Sequence, residues 1–387
     1  MTFPSGFPAA EAPQIFRRGE GAALANGLSL EEKVGQVFLG CLYTSRSCSG
    51  SFLTPSAKAF LHKTKLGNVV YFNWANELSS LEAVRQLSQE IRSEIENITG
   101  LQPLIAVDQE GGRVLRLKGR GFSDFPSARA LFEAQEGLIG VKKTARKIAE
   151  EMHLCGANLN LAPVIDLASE TMAGVLQTRT VSAFPEEVCA FGEFFLSGLH
   201  EGGVLTTLKH FPGIGGADTD PHLGLPEIKK NLEELEKSDL VPFCRLLGKS
   251  DLVMAAHVKL PALDPETMVT FSSRILKGLL REKLGFSGVI VSDALPMRAA
   301  SGRQGSLNEA IESISEAAQR AFLAGCDLLL LSNLDFADFK ATLEMNEEMC
   351  FRVMLNFKIA VENGKILPEL LDRSVERILA LKKTLKD

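Results

Sequence analysis

The sequence GVIVSD, residues 288–293, has three consecutive apolar residues directly before a serine and an aspartate. A short apolar run without polar alternation is typical of a strand that is covered on both faces, as in a parallel sheet. The run therefore predicts a buried strand that carries Asp293 at its carboxyl end.

Similar apolar runs recur along the chain, and the segments between them have helical periodicity. In SLEAVRQLSQEIRSEIENI, residues 80–98, apolar residues follow the i, i+3, i+4 spacing of a helix that packs on a sheet. Strands that alternate with helices in this way favour a closed (β/α)8 barrel, or TIM barrel, over an open doubly wound sheet. The eight apolar runs begin at Val34, Asn68, Leu104, Ala157, Val204, Leu252, Gly288 and Cys326.

The chain length of 387 residues suits either two average domains or one barrel with an extension. Residues 1–27 are rich in alanine, glycine and proline and predict an N-terminal arm. Because no internal repeat or second domain is evident, we expect residues 28–387 to form a single α/β barrel.

Charge and hydropathy exclude several classes of protein. The net charge of −6, without long runs of like charge, argues against a nucleic-acid surface or a polybasic membrane patch. No stretch approaches the roughly 20 apolar residues of a membrane span, and the N-terminus lacks the pattern of a secretory signal. We expect a cytoplasmic, monomeric protein that acts on a small substrate, with no nucleic-acid or membrane partner.

The cysteines and histidines do not indicate a metal site. The seven cysteines show no C-x-x-C spacing, and the six histidines show no H-E-x-x-H spacing. An odd number of scattered cysteines favours a reducing compartment over a disulfide framework. The expectation is a protein without metal and without cofactor.

Polar residues follow the predicted strands at their carboxyl ends, where the working face of a TIM barrel lies. A buried charge costs several kcal/mol unless it is paired or has a function. We therefore expect the chemistry of this protein at that face. The strand-end residues are Asp108, Asp166, Lys209, His210, His257 and Asp293.

Asp293 is the candidate nucleophile, because a carboxylate at a strand end can attack an anomeric carbon and form a glycosyl ester. The alternative is that Asp293 accepts a hydrogen bond as the N-cap of the next helix. The position in the sequence leaves both interpretations open.

The segment KHFPGIGGADTDPHLGLP, residues 209–226, predicts a mobile loop that carries acid-base groups. An imidazole exchanges protons near neutral pH, and a carboxylate two residues away can orient it, which suits His222 and Asp220. A phosphate-binding loop is the alternative, but the Walker spacing is missing.

Four further residues suit contacts with sugar hydroxyls. Lys209 and His210 end a predicted strand. Asp108 can accept hydrogen bonds from two hydroxyls, and the guanidinium group of Arg179 can donate two parallel hydrogen bonds. The structural alternatives are an ion pair of Lys209 with a barrel carboxylate, a buried structural role for His210, and an ion pair of Asp108 with Arg113 or Arg116.

Five ordered motifs resemble glycoside hydrolase family 3, in particular its short bacterial β-N-acetylhexosaminidase branch of cell-wall recycling. They are DQEGGRV at 108–114, NLNLAPVID at 158–166, KHFPG at 209–213, MAAHV at 254–258 and SDALPM at 292–297. The resemblance covers residues 28–385.

The resemblance implies a TIM barrel with Asp293 as nucleophile, His222 as acid/base and Asp220 as the partner of His222. It also implies sugar contacts from Asp108, Arg179, Lys209 and His210. The implied activity is that of a retaining exo-β-N-acetylglucosaminidase, which releases terminal N-acetylglucosamine from peptidoglycan fragments through a glycosyl-aspartate intermediate.

Two residues depart from the family pattern. Ile214 stands where many relatives have a histidine, and Pro221 replaces a small polar residue within the Asp-x-His loop. A sugar-binding barrel that has lost turnover is therefore an alternative function. A phosphorylase is another, because a histidine, unlike a carboxylate, does not repel phosphate.

Overall fold

A computed structural model describes residues 25–44, 51–169, 176–217, 225–302, 305–336 and 339–385. Its centre is a barrel of eight parallel strands, which confirms the predicted fold class. The strands are β1 (Phe38–Cys41), β2 (Asn68–Tyr71), β3 (Leu104–Val107), β4 (Leu159–Asn160), β5 (Leu205–Phe211), β6 (Leu252–Ala255), β7 (Val289–Ser292) and β8 (Leu329–Leu331).

The strands pair in the order β7-β6-β5-β4-β3-β2-β1-β8, so that neighbours in sequence are neighbours in the sheet, and β8 lies beside β1. The remaining gap between β7 and β8 is bridged by a parallel pair, Val291 with Leu328. Leu295 N also donates to Leu330 O across this gap at 3.0 Å. The sheet therefore closes on itself, as predicted, and is not an open sheet.

Each predicted apolar run overlaps one barrel strand, but the boundaries differ, most clearly in two of the runs. The run that begins at Val34 starts as a helix, because Ser29 and Glu32 form a capping box at the helix N-terminus and Val34 lies inside that helix. The run that begins at Ala157 gives only the short strand β4, and Pro163, which has no N–H group, follows soon after.

Helices surround the barrel and cover its outer face. The longer helices α5 and α6 pack closely, since a side chain at Gly198 would approach Lys142 O to 2.4 Å. A π-helical segment, Arg274–Lys283, precedes β7. The helices are α1 (Leu30–Gln36), α2 (Pro55–Thr64), α3 (Leu81–Thr99), α4 (Ala128–Glu133), α5 (Gly137–Leu154), α6 (Pro185–Glu201), α7 (Leu232–Glu236), α8 (Leu240–Leu246), α9 (Arg298–Ser301), α10 (Leu307–Ala324), α11 (Leu343–Glu362) and α12 (Pro368–Lys382).

A buried ion cluster attaches the closing helix α12 near the start of β8. The carboxylate of Asp327 accepts from Arg377 at 2.9 Å and from Ser374 at 3.0 Å, and it also pairs with Arg281. Removal of Asp327 would leave the largely buried guanidinium group of Arg281 without its counter-ion, which typically costs about 3 to 5 kcal/mol.

Lys382, the last residue of α12, is buried beneath the amino ends of β1 and β2. Its side chain is 7% exposed, and Nζ donates to Gln36 Oε1 at 2.6 Å and to Gly67 O at 3.1 Å. Burial lowers the pKa of Lys382 from 10.5 to about 7, since desolvation disfavours the charged ammonium group.

Lys382 should make stability depend on pH. Above pH 7 the buried amine loses its proton while the unfolded chain keeps one up to about pH 10.5, so the unfolding free energy should rise with pH in this window. The expected contribution is about 1.4 kcal/mol per pH unit. Denaturant titrations of wild type and Lys382→Met between pH 7 and 10 should show a difference in unfolding free energy that grows with pH.

The adjacent, exposed Lys383 provides the control for this experiment. A Lys383→Met variant should follow the pH dependence of the wild type, because Lys383 is exposed and its replacement leaves the buried amine of Lys382 in place. Equal pH dependence in wild type and Lys382→Met would contradict the assignment.

Within the described ranges, no helix is both long and apolar enough to cross a bilayer. The predicted N-terminal arm falls almost entirely on residues 1–24, which are outside the described part of the chain. The arm and its boundary with the barrel stay predictions.

Candidate active site

Four charged side chains meet at the carboxyl end of the barrel, above β3 and β5. Lys209 Nζ lies 2.8 Å from Asp108 Oδ1 and 2.6 Å from Glu110 Oε1. Arg179 binds Glu110 in bidentate fashion, because Nε and Nη2 each donate to one carboxylate oxygen at 2.8 Å. Two carboxylates and two cations thus form a balanced cluster.

Electrostatics keep this cluster charged despite its burial. Desolvation alone raises the pKa of Glu110, but the charges of Lys209 and Arg179 outweigh it and hold that pKa well below its ordinary value. Desolvation likewise lowers the pKa of Lys209, but Asp108 and Glu110 raise it above its ordinary value. The donors of Lys209 and Arg179 are therefore cationic at any physiological pH.

The loop after β3 is fixed by side-chain amides. Gln109 N donates to Asn160 Oδ1 at 3.1 Å, and Asn160 Nδ2 returns a bond to Gln109 O at 3.1 Å. Gly111, at φ +98°, lies where a Cβ would be 2.2 Å from Pro126 O, so only glycine fits this turn. These contacts hold Asp108 and Glu110 against the next strand of the barrel.

His210 is anchored by Asp166, which follows β4. His210 Nδ1 lies 2.7 Å from Asp166 Oδ2, and the other carboxylate oxygen accepts from His210 N at 3.2 Å and from Ile214 N at 2.9 Å. Asp166 thus sets the orientation of the ring and of the first residues of the following loop. Ile214 contributes its backbone to this arrangement, and its side chain is buried.

Asp293 lies at the tip of β7 in a tight turn. Asp293 N donates to Ala255 O at 3.1 Å, and Asp293 Oδ1 accepts from Ala294 N at 2.7 Å. The alternative interpretation as a helix N-cap is wrong, because helix α9 begins at Arg298 with Met297 as its N-cap. The carboxylate is held by its own turn.

The surroundings of Asp293 favour its ionised form. Desolvation raises the pKa of Asp293, but His257, His210, the Ala294 N–H and Lys209 together hold it below its ordinary value of 3.8. The carboxylate is therefore ionised at neutral pH, the form that a nucleophile requires.

The predicted acid/base pair, Asp220 and His222, lies outside the described residues, as does Pro221. The described residues on either side of that segment lie beside β5 and β6. Ala217 and Ile228 form an antiparallel bridge, and Ile228 N donates to Lys259 O at 2.9 Å. Ala217 and Ile228, which lie on either side of the segment, are thus close to each other.

The structure brings together the other residues that the sequence singled out. Asp108, Arg179 and Lys209 share one cluster, in which Asp108 pairs with Lys209 and not with Arg113 or Arg116 as its structural alternative proposed. Lys209 does pair with barrel carboxylates, and His210 is hydrogen bonded in the core, as their structural alternatives predicted.

Sequence reasoning missed Glu110 and gave no role to Asp166 or His257. Glu110 is two residues from Asp108 within the same motif, and a second carboxylate beside a strand end was the available clue. Asp166 and His257 stood among the strand-end residues, but their partners come from other strands and cannot be found from spacing.

The comparisons with known proteins agree with this architecture. The family model "Glycosyl hydrolase family 3 N terminal domain" matches residues 29–381. A β-hexosaminidase from Pseudomonas aeruginosa is 37% identical over 289 residues, which cover 73% of this chain and 80% of that protein.

Solved structures of two further proteins are similar to this chain. A glycoside hydrolase family 3 β-N-acetylglucosaminidase from a Paenibacillus species matches 92% of this chain and 63% of its own longer chain, with a TM-score of 0.80 and 32% identity. A β-N-acetylhexosaminidase from Beutenbergia cavernae matches 92% of this chain and 99% of its own, with a TM-score of 0.75 and 25% identity. The chain is therefore a member of glycosyl hydrolase family 3.

Proposed function

We propose that this protein is a retaining, exo-acting β-N-acetylglucosaminidase that removes terminal, non-reducing N-acetylglucosamine. The observation that carries the proposal is the ionised Asp293 at the tip of β7, at the barrel end that also holds the Asp108–Glu110–Lys209–Arg179 cluster. A fixed nucleophile beside charged hydrogen-bonding groups is the arrangement that a single sugar ring requires.

The charged cluster has the donors and acceptors to bind sugar hydroxyls. Lys209 directs two of its three N–H bonds to carboxylates, and Arg179 directs Nε and Nη2 to Glu110, so each cation retains a further donor group. Asp108 offers a second carboxylate oxygen as acceptor. Because Glu110 and Asp108 hold both cations in place, little ordering is needed when a sugar binds.

In the proposed reaction, Asp293 attacks the anomeric carbon while His222, oriented by Asp220, gives a proton to the leaving oxygen. A glycosyl-aspartate ester forms as the glycosidic bond breaks. His222 then takes a proton from water, which attacks the same carbon, breaks the ester and restores the Asp293 carboxylate. Two inversions give retention of configuration.

The choice of N-acetylglucosamine rests on the relatives, since β-hexosaminidase and β-N-acetylglucosaminidase are the names of the similar proteins. Peptidoglycan fragments of cell-wall recycling in the cytoplasm are the substrate and location that we propose. Mass spectrometry of the products from muropeptide and chitin-fragment mixtures would distinguish these substrates.

An aryl N-acetylglucosaminide tests the proposed function. Release of the chromophore with N-acetylglucosamine as product is the expected result. Stimulation by inorganic phosphate, with a sugar phosphate as product, would instead reveal a phosphorylase. Binding of the sugar without release of the chromophore would support a barrel that has lost turnover.

His222 should matter most for substrates with poor leaving groups. The His222→Ala variant should lose about a hundredfold in kcat/KM with an alkyl aglycone, but much less with a dinitrophenyl aglycone, whose leaving oxygen needs no proton. A series of substrates that differ in aglycone pKa provides the measurement.

The control for this series is His153→Ala, a histidine on the exposed side of α5. That variant should behave as the wild type with every aglycone. An equal loss with good and poor leaving groups in His222→Ala would rule out its role as the acid.

A further inference from the structure

We infer that His257, at the end of β6, is the positioning residue and counter-ion of the nucleophile Asp293. Neither the family comparison nor the proposed reaction gives this histidine a role. The inference rests on the proposed function, since it concerns the same carboxylate. Its evidence is a chain of hydrogen bonds that runs from Thr270 through His257 to the turn that holds Asp293.

The hydrogen bonds around His257 determine where its protons lie. Thr270 Oγ1 lies 2.7 Å from Ala256 O and 2.8 Å from His257 Nδ1. When the single hydrogen of Thr270 points to that carbonyl, Nδ1 donates to Thr270. His257 Nε2 faces Ala294 O at 3.1 Å and must also donate. Both ring nitrogens thus face oxygen atoms that can accept a hydrogen bond, an arrangement that favours the doubly protonated ring and opposes the effect of burial.

The ring also fixes the turn that presents the nucleophile. Ala294 accepts from His257 through its carbonyl oxygen, and Ala294 N donates to Asp293 Oδ1 at 2.7 Å. One residue thus transmits the position of the imidazole to the carboxylate. Both His257 and Thr270 are almost fully buried, so this arrangement does not depend on solvent.

The charges that face this pair are few and can be named. Asp293 interacts electrostatically with His257, His210 and Lys209. His257 interacts electrostatically with Asp293 and His210. Burial lowers the pKa of His257, and Asp293 opposes this change. The ring therefore becomes charged only at a more acidic pH than an ordinary histidine, towards the range in which Asp293 takes up its proton.

The test is the acid limb of the pH profile for kcat/KM in wild type and His257→Gln. A substrate with a good leaving group is used, so that the limb reports the ionisation of the nucleophile and not that of the acid/base residue. Loss of the positive ring should raise the pKa of Asp293 and move the limb to higher pH by at least about one unit. At neutral pH we expect about a tenfold loss in kcat, with KM little changed.

The matched control is His200→Gln. His200 Nε2 lies 2.8 Å from Asp251 Oδ2, a comparable histidine–aspartate pair, but Asp251 precedes β6 at the opposite end of the barrel. The acid limb of His200→Gln should coincide with that of the wild type. An acid limb in His257→Gln that also coincides with the wild type would overturn the inference.

A second variant decides the question if His257→Gln does not fold. Thr270→Val keeps the histidine but removes the acceptor of Nδ1, so it should move the acid limb in the same direction by a smaller amount. An unchanged limb in this variant would overturn the inference. A failure of this inference can be told apart from a failure of the proposed function, because the proposed function fails only if the wild type does not release the sugar.

Discussion

Replacing Asp293 with alanine should lower kcat for an aryl N-acetylglucosaminide by about ten thousandfold or more, because Asp293 is the carboxylate that forms the glycosyl ester in the proposed reaction. Thermal unfolding should change little, since Asp293 bonds only within its own turn and to the backbone of β6. Steady-state kinetics on the purified variant, with circular dichroism as the test of folding, measure both effects.

A slow fluorinated substrate tests the same residue in the wild type. The sugar should accumulate as an ester, and peptide mass spectrometry should locate the label on Asp293. The nearby Asp166, which binds His210 and Ile214, should carry none. A label on another residue, or full turnover by the alanine variant, would contradict the proposed nucleophile.

Replacing Glu110 with glutamine should lower kcat/KM by about a thousandfold. The carboxylate holds Arg179 in bidentate fashion and contacts Lys209 at 2.6 Å, so its loss releases one sugar-binding cation and weakens the other. A hydrogen bond to a charged group contributes about 1.5 to 3 kcal/mol, and two such contacts with the sugar account for this loss. Steady-state kinetics should show the loss in kcat/KM. Calorimetry should show that N-acetylglucosamine binds more weakly.

The control for Glu110→Gln is Glu151→Gln, another buried glutamate. Its carboxylate accepts from Ser123 N at 3.0 Å and Ser123 Oγ at 2.6 Å and has no contact with the charged cluster. Activity should stay near that of the wild type even if stability falls. Wild-type binding of N-acetylglucosamine by Glu110→Gln would show that Arg179 and Lys209 do not need Glu110.

The eight strands could be predicted because each buried strand needs its own run of apolar residues, and such runs are local. The boundaries were less predictable. The run at Val34 begins as a helix because the capping box of Ser29 and Glu32 lies just before it. The run at Ala157 yields only two residues of strand. The ends of the helices and strands are decided by hydrogen bonds, which the pattern of apolar residues does not reveal.

The sequence by itself determined that this chain forms a barrel, and that Asp293, Asp108, Lys209 and His210 lie at the carboxyl ends of its strands. Only the tertiary structure decided that Glu110 joins Arg179 to Lys209, and that His257 faces the turn of Asp293. The physical reason is that apolar periodicity acts between residues close in the chain. The charge and hydrogen-bond partners of this site come from different strands, and they meet only when the barrel closes.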